Sequence, residues 1–389
     1  MASIIRKGTI PYPPSGLGDV LDEAYTVKGF FGPFATIYRR RNLGHPTSIS
    51  DPKLSYQAVN IRKFEPSDLT DPEGEPLVLL EGPSERVSVS CRREAMPFAE
   101  KNCDRHQIRF YHRGEFLLET ELGPLKTRPG DFVVIPSNMI YRETPITDDN
   151  VILIFEVASP IRLAEELWDS VGFVNNFIDW SEMELPEPTG DDADTPTRLR
   201  LRFDDETHWM EFDFDPCKDV VGYLGDPIIY RMNVESIPGI GTSAGFLTPP
   251  SNAVLFGEDN AFFFNVHGNH AAISTPPPRG SMGAPAHQND YDEIWFNHVS
   301  EFAPGGDGDM WMHPRSIVHP GLKGPPEFPP NPVRHVNEAK LNFDTKARLF
   351  WSEAAMAQFL PDPQKTVYES LYGGHMGVDA ATALKHVKR

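Results

Sequence analysis

The sequence predicts a mainly β protein, organised as two β-barrels or sandwiches with a few short helices. The chain of 389 residues contains 38 prolines, roughly twice the ordinary usage, and these prolines interrupt almost every candidate helix. It also contains 25 phenylalanines and many Val- and Ile-rich runs that are bounded by Pro, Gly, Asn or Asp, which is typical of strands. The length allows two domains, or one large β-domain with extensions.

Two β-regions follow each other along the chain. In the first, six runs have strand character, at 77–80, 87–90, 107–111, 115–120, 131–136 and 151–157. Turn residues every eight to twelve residues or so predict a sandwich or a barrel. The second region runs from about 220 to 320, and we interpret the two as copies of one barrel.

These patterns predict the domain limits. We expect an N-terminal arm and β-domain over 1–165, an acidic irregular linker over 166–215, a second β-domain over 216–325 and a tail over 326–389. The arm, roughly the first 60 residues, is expected to be irregular. Helices are expected at 160–168, at 352–359 and from Asp379 onward, and a strand is expected at 347–351.

The composition limits the function and the location. A formal net charge of −20, from 36 basic and 56 acidic residues, opposes binding to nucleic acid or to anionic lipid. No apolar stretch approaches about 18 residues, so we expect no membrane span and no signal peptide. The three cysteines are scattered without a CxxC pair, which predicts a cytoplasmic protein without a disulfide framework.

One cluster of residues carries metal chemistry. His287, Glu293, His313 and His319 lie within 33 residues. Two imidazoles and one carboxylate form the facial triad that holds Fe(II) and leaves positions open for substrate and dioxygen. The sequence therefore indicates an oxygen-using iron enzyme.

The spacing of this cluster requires a chain reversal. On one straight strand, His287 and Glu293 would lie about 20 Å apart, and on a helix they would point away from each other. The turn residues Asn289 and Asp290 predict a hairpin between them. Glu293 then begins a buried strand, and His319 follows a strand at 317–318.

The first β-region contains a related pattern without a full ligand set. Residues 130–141 resemble the second cupin motif, in which a glycine turn, a strand and a Pro-x-Asn turn lead to a metal-binding His. Tyr141 stands at that position, and His106 and His112 lack a carboxylate at the matching spacing. We expect this barrel to bind no metal.

The chain resembles the homogentisate 1,2-dioxygenase family of the cupin superfamily. The resemblance rests on the spacing of the four residues at 287–319, on 219–226 and on 113–123, and it is diffuse outside these motifs. It implies Fe(II) held by His287, Glu293 and His319, with His313 as the acid or base beside a small aromatic substrate and O2.

One position departs from the family. Leu224 stands where the family has a His that contacts a substrate hydroxyl, so we expect Leu224 and Tyr223 to form an apolar wall of the substrate pocket. Trp295 and His298, on the strand after Glu293, are further candidates for lining that pocket.

The expected function is Fe(II)-dependent ring cleavage of a hydroquinone-like or hydroxylated aromatic acid. The alternatives are another cupin dioxygenase of the gentisate or salicylate type, a metal-dependent isomerase, or a non-enzymatic cupin that binds an aromatic compound. The apolar cluster at 29–34 also predicts a homo-oligomer, because so apolar a segment needs to be covered.

Overall fold

The computed structural model describes residues 21–29, 33–41, 43, 46, 48–164, 178–190, 193–226, 228–237, 253–267, 270–272, 286–300, 306–319, 334–336 and 338–361. Residues 30–32 of the apolar cluster at 29–34 and the helix expected from Asp379 lie outside the described residues. No helix in the described part of the chain is long and apolar enough to cross a membrane.

The described residues form 25 strands and one short α-helix. The strands of the first half are β1 (Leu21–Thr26), β2 (Phe34–Arg39), β3 (Gln57–Asn60), β4 (Leu77–Glu81), β5 (Glu85–Ser90), β6 (Ala99–Asn102), β7 (His106–Arg113), β8 (Phe116–Thr120), β9 (Gly123–Thr127), β10 (Asp131–Ile135), β11 (Ile140–Pro145), β12 (Val151–Val157) and β13 (Ile161–Leu163). The later elements are β14 (Thr197–Phe203), β15 (Glu206–Phe212), β16 (Tyr230–Asn233), β17 (Ala253–Gly257), β18 (Phe262–His267), β19 (His270–Ala272), β20 (Ala286–Gln288), β21 (Asp292–Ser300), β22 (Asp309–His313), β23 (Arg334–Val336), β24 (Glu338–Thr345), β25 (Phe350–Trp351) and α1 (Glu353–Met356).

The first barrel consists of two packed sheets. A seven-stranded sheet has the order β16-β10-β7-β12-β5-β4-β25, and a six-stranded sheet has the order β15-β14-β6-β11-β8-β9. Apolar side chains from both sheets, among them Tyr111, Leu118 and Ile152, form a buried cluster between them. All six strands predicted between 77 and 157 are present, because their alternating apolar residues have this core to face.

The second barrel carries the residues of the predicted metal site. Its seven-stranded sheet has the order β13-β17-β18-β24-β21-β22-β3, and a three-stranded sheet has the order β2-β1-β20. A further pair joins β19 to β23. The prediction of a mainly β protein with two β-barrels or sandwiches is therefore confirmed.

The two seven-stranded sheets pack against each other. Their shared core includes Phe110 and Phe155 from the first barrel and Phe296 and Phe343 from the second. Each large apolar side chain buried in this way contributes roughly 1.5–3 kcal/mol relative to exposure. Because strands alternate their faces, residues 294 and 296 of β21 enter this core and residues 293, 295 and 297 point to the other face of the sheet.

Two segments between the N-terminal arm and the second β-region differ from their predicted structure. Residues 161–163 form strand β13 on β17, whereas a helix was expected there. Residues 197–212 form the hairpin β14–β15, although an irregular linker was expected. Its alternating Arg and Leu residues are a strand pattern, which the acidic, Pro-rich flanks obscured.

The ends of the described chain are built into the barrels. Strand β3 of the arm pairs with β22 in the second barrel, and β25 pairs with β4 in the first. The arm, expected to be irregular, thus supplies β1, β2 and β3 to the sheets around the predicted site. Strand β24, which lies beyond the expected limit at 325, sits between β18 and β21.

The pairing registers show that the barrels repeat one arrangement. In the first barrel Gln107 lies opposite Ile135 and Glu156. In the second barrel Glu293 lies opposite His313 and Asp344 in the same way. Position 107 of β7 therefore corresponds to position 293 of β21.

Contacts across the shared core agree with this correspondence. Phe110 contacts Phe296, its counterpart, with ring centroids 5.9 Å apart. The Nδ1 atoms of His112 and His298, another corresponding pair, are 2.9 Å apart. When residues contact their own counterparts, an approximate two-fold axis passes between them. The interpretation of the β-regions as two copies of one barrel is confirmed.

Candidate metal centre

His287 is positioned by backbone pairing on both sides of β20. Strand β20 runs parallel to β1, with His287 opposite Ala24. The backbones of His287 and His319 exchange two hydrogen bonds, each 3.2 Å long. This bridge places the two imidazoles side by side.

The reversal between His287 and Glu293 differs in one respect from the predicted hairpin. A turn is present, and Asn289 Oδ1 accepts a hydrogen bond from Tyr291 N at 2.8 Å. However, β20 and β21 belong to different sheets, so the two ligands face each other across the barrel. A strand was expected at 317–318. Instead, His319 follows a turn and pairs with His287 in an isolated bridge.

The three predicted ligands converge on one point. The Nε2 atoms of His287 and His319 are 2.8 Å apart, and Glu293 Oε2 lies 3.4 Å from the first and 3.3 Å from the second. Ligand atoms about 2.1 Å from one ion and at right angles are about 3.0 Å apart. The three separations therefore fit one face of a metal coordination shell.

Hydrogen bonds orient the ligands from behind. Asn342 Nδ2 donates to Glu293 Oε1 at 2.8 Å, which leaves Oε2 directed at the imidazoles. His319 Nδ1 lies 3.2 Å from Ile317 O, and in the tautomer that donates this bond the lone pair of Nε2 faces the site. Such outer contacts fix the orientation and the tautomer of metal ligands.

The electrostatics favour the protonation states that a metal requires. Burial by itself would raise the pKa of Glu293, but the imidazoles of His319 and His287 hold that pKa well below its usual value. Burial lowers the pKa of His319, and the nearby His287 lowers it further. A carboxylate and a neutral imidazole are the forms that bind metal.

His313 lies against the triad. Its ring stacks on His319 with centroids 4.2 Å apart and an angle of 5°. The ring of Tyr56 lies edge-on, with its centroid 5.4 Å from that of His313. Its Nδ1 is buried and has no hydrogen-bond partner among the described residues. Burial lowers its pKa to about 3, which favours the neutral ring.

Trp295 lies on the same face of β21 as Glu293. Its Nε1 donates to Asn297 Oδ1 at 3.1 Å, and the ammonium of Lys340 lies 5.3 Å from the ring centroid. Trp295 packs with Tyr56 and Trp311, which places an aromatic wall beside the triad.

The other pocket candidates lie elsewhere. His298 points to the opposite face of β21, where it contacts His112 and Phe110 of the first barrel. Leu224 is fully exposed. Tyr223 packs on the core of the first barrel and donates to Pro186 O at 3.1 Å. The structure does not bring these three residues to the triad.

A buried polar stripe beside the triad was not predicted. Asn265 Nδ2 donates to Asn342 Oδ1 at 3.0 Å and to Asp344 Oδ2 at 3.1 Å. Burial, reinforced by the charge of Glu293, raises the pKa of Asp344 well above its usual value. A period-two pattern at 340–344, with polar Lys340, Asn342 and Asp344 alternating with apolar residues, could have revealed this stripe.

Comparisons with solved structures give matches of low sequence identity and low TM-score. No protein-family model matches the chain. A cupin 2 conserved barrel domain protein from Leptotrichia buccalis is 11% identical with a TM-score of 0.34, and the match covers 75% of this chain and 96% of that chain. A salicylate 1,2-dioxygenase from Pseudaminobacter salicylatoxidans is 13% identical with a TM-score of 0.35, covering 72% of this chain and 80% of the other.

A putative glyoxylate-induced protein from Pseudomonas aeruginosa is 9% identical with a TM-score of 0.36, and the match covers 80% of this chain and 96% of that one. These values are too low to transfer an activity or a substrate. The function has to be inferred from the chemistry of the site.

Proposed function

We propose that the protein is an Fe(II)-dependent dioxygenase that cleaves the ring of a hydroxylated aromatic acid, of the homogentisate 1,2-dioxygenase type. The observation that carries the proposal is the convergence of His287, Glu293 and His319, whose ligand atoms all lie within 4.8 Å of one another in buried positions. Two imidazoles and one carboxylate with open positions are the donor set of Fe(II) oxygenases.

Fe(II) held by this triad would supply open positions for dioxygen and a substrate hydroxyl, together with electrons for oxygen activation. The residues around it have separate tasks. Asn342 holds the Glu293 carboxylate in place. The aromatic rings of Trp295 and Trp311 provide a wall on which a substrate ring can pack.

His313 is the side chain best placed to accept or donate a proton during the reaction. Its neutral ring can accept the proton of a substrate hydroxyl or donate a hydrogen bond to a bound oxygen species, since neutral imidazole has one donor and one acceptor nitrogen. The unpartnered Nδ1 is available for such a contact.

The experiment is oxygen consumption after anaerobic reconstitution with Fe(II). A panel of hydroxylated aromatic acids, including homogentisate, gentisate and salicylate, is offered under reducing conditions, and loss of aromatic absorbance is recorded together with oxygen uptake. We expect the two to occur in equal amounts, and we expect Glu293→Gln to abolish both.

The matched control is His208→Gln, which changes a half-exposed histidine on the hairpin β14–β15 and should leave uptake unchanged. Substrate conversion without oxygen uptake would favour an isomerase instead. No conversion of any compound by protein that retains iron would contradict the proposal.

A further inference from the structure

The first barrel contains a cavity at the position where the second barrel has its triad. The cavity has a volume of about 180 Å³, and its walls include Glu100, Gln107 and Tyr141. Gln107 corresponds to Glu293 in the strand registers. Glu100 and Tyr141 lie opposite each other in the pairing of β6 with β11, as the two triad histidines do in their isolated bridge.

An arginine stands beside these three positions. Arg109 donates to Glu143 Oε1 at 3.1 Å and to Oε2 at 2.5 Å. It also donates to Gln107 Oε1 and to Tyr141 Oη, both at 3.2 Å. A buried guanidinium opposes a metal cation by charge repulsion, so the polar groups here are arranged for a different ligand.

The remaining groups at the triad-equivalent position are also held in place. Glu100 accepts from Tyr141 Oη at 2.9 Å and from Arg200 Nε at 2.7 Å. Glu156 accepts from Asn102 Nδ2 at 2.7 Å and from Gln107 Nε2 at 3.1 Å. Side chains fixed by such contacts form a preorganised binding surface.

The charge of the cavity wall is nearly balanced. Six arginines and seven carboxylate side chains line it. Burial raises the pKa of Asp68 and of Glu156, which reduces the acidic excess. The carboxylates would repel an anion, and the guanidiniums would repel a cation. An uncharged ligand can form hydrogen bonds with both kinds of group.

The volume of the cavity and its unpaired polar groups limit the size and the chemical class of the ligand. An apolar cavity of about 150 Å³ takes one benzene molecule, so this cavity has room for a single substituted ring. Arg105 Nε is buried without a hydrogen-bond partner among the described residues and is available to an acceptor. Met96 and Ile154 add apolar surface for the carbon face of a ring.

We propose that this cavity of the first barrel binds one small uncharged polyhydroxylated molecule, a single-ring sugar or cyclic polyol. Its hydroxyl groups pair with the amides, carboxylates and guanidiniums of the wall, and its carbon face packs on Met96 and Ile154. The site is separate from the triad and does not depend on the function proposed for it.

Isothermal titration of the full-length protein tests the proposal. The uncharged probes are D-glucose and myo-inositol, and the charged probes are succinate and putrescine at the same ionic strength. We expect at least one uncharged probe to bind with about one site per chain, and both charged probes to bind at least about tenfold more weakly. Glu293→Gln should leave this binding unchanged, which separates it from the metal centre.

Two variants place the binding in the cavity. Ser88→Leu and Ile154→Phe each enlarge a side chain in the cavity wall and should weaken binding by about tenfold or more. Thr195→Leu makes a similar change at an exposed position and should have no effect. Thermal unfolding and iron content verify that each variant is folded.

Three results would overturn the proposal. One is a failure of both uncharged probes to bind the wild-type protein. Another is tighter binding of succinate or putrescine than of either uncharged probe. The third is uncharged-probe binding that survives unchanged in both folded cavity variants.

Discussion

At the scale of single residues, the close approach of the two triad imidazoles requires a positively charged group between them. Their Nε2 atoms are 2.8 Å apart, and two lone pairs at this distance repel unless a cation or a proton lies between them. The carboxylate of Glu293 beside them adds the negative charge that a divalent cation would neutralise. A metal ion would satisfy both the two lone pairs and the carboxylate.

The contact of Asn342 with Glu293 gives a first prediction. Asn342→Ala removes the hydrogen bond that orients the carboxylate and should weaken metal affinity by about 10- to 100-fold, as is usual for groups that orient metal ligands. Competition with a chelator of known affinity measures the change. Asn138→Ala, at an exposed position in the first barrel, is the control, and an equal loss of affinity there would contradict the assignment.

His313 gives a second prediction at this scale. His313→Gln should retain iron, because His313 is not among the three ligands, and should lower oxygen-dependent turnover by about 10²- to 10⁴-fold. Iron analysis and oxygen uptake on the same preparation separate the two effects. Turnover within twofold or so of wild type would remove His313 from the chemistry.

At the scale of strands and turns, a buried carboxylate holds the segment before His319. Asp292 Oδ1 accepts from Arg315 N at 2.9 Å and from Arg348 Nη1 at 3.2 Å, and its Oδ2 accepts from Leu349 N at 2.8 Å. Asp292 is fully buried. It links β21 to the turn before His319 and to the chain leading to β25.

Removing the Asp292 carboxylate should therefore destabilise the fold. Asp292→Ala leaves buried donors without a partner and should lower the free energy of unfolding by about 3–5 kcal/mol. Asp149→Ala, which breaks an exposed ion pair with Arg113, should cost no more than about 1 kcal/mol. Urea unfolding of both variants checks the difference, and equal effects would contradict this role of Asp292.

The histidine pair between the barrels predicts a pH dependence. Burial lowers the pKa of His298 to about 4 and holds the pKa of His112 well below its usual value. The unfolded chain, with ordinary values near 6.5, then binds more protons than the folded protein as the pH falls. The contribution of the neutral pair to the free energy of unfolding is fully present above about pH 6.5. It is lost as the pH falls from there to about pH 4, by up to about 1.4 kcal/mol per pH unit for each histidine.

Urea unfolding at several pH values tests this dependence. In the double variant His112→Leu/His298→Leu the slope between pH 6.5 and 5 should be smaller, whereas His208→Leu, on the exposed hairpin, should keep the wild-type slope. An unchanged slope in the double variant would show that the pair binds protons equally in the folded and unfolded states, against this account.

At the scale of the whole molecule, the sequence was sufficient for the mainly β architecture and for the three side chains that converge at the candidate metal centre. The triad could be predicted because its residues lie close in sequence and because the chemistry restricts their types. His298 was misassigned because its partner, His112, lies 186 positions away and the face of β21 that carries it depends on the packing of the two barrels. The shared pattern Ile-x-Phe-x-His at 108–112 and 294–298 is the signal that links these two strands.

Leu224 shows a different limit. Resemblance placed it in the substrate pocket, but side-chain exposure depends on the path of residues 219–226 over the first barrel, which no local pattern encodes. Val221 is also largely exposed. A homo-oligomer, as the sequence predicts, would cover exposed apolar side chains of this kind.

Sedimentation equilibrium tests that expectation. We predict a mass that is a multiple of the 43.6 kDa chain at micromolar concentration, and a shift toward the single chain for Val221→Asp/Leu224→Asp. A single-chain mass for the wild-type protein would contradict the prediction of an oligomer.

Iron stoichiometry tests the central claim most directly. After anaerobic reconstitution with Fe(II) and removal of loosely bound metal, the wild-type protein should hold about one iron per chain, since only one of the two barrels is assigned a complete ligand set. Glu293→Gln should hold almost none, and Tyr141→Phe in the first barrel should hold the wild-type amount. A full complement of iron in Glu293→Gln, or two irons per wild-type chain, would contradict the assignment of the metal centre to the second barrel.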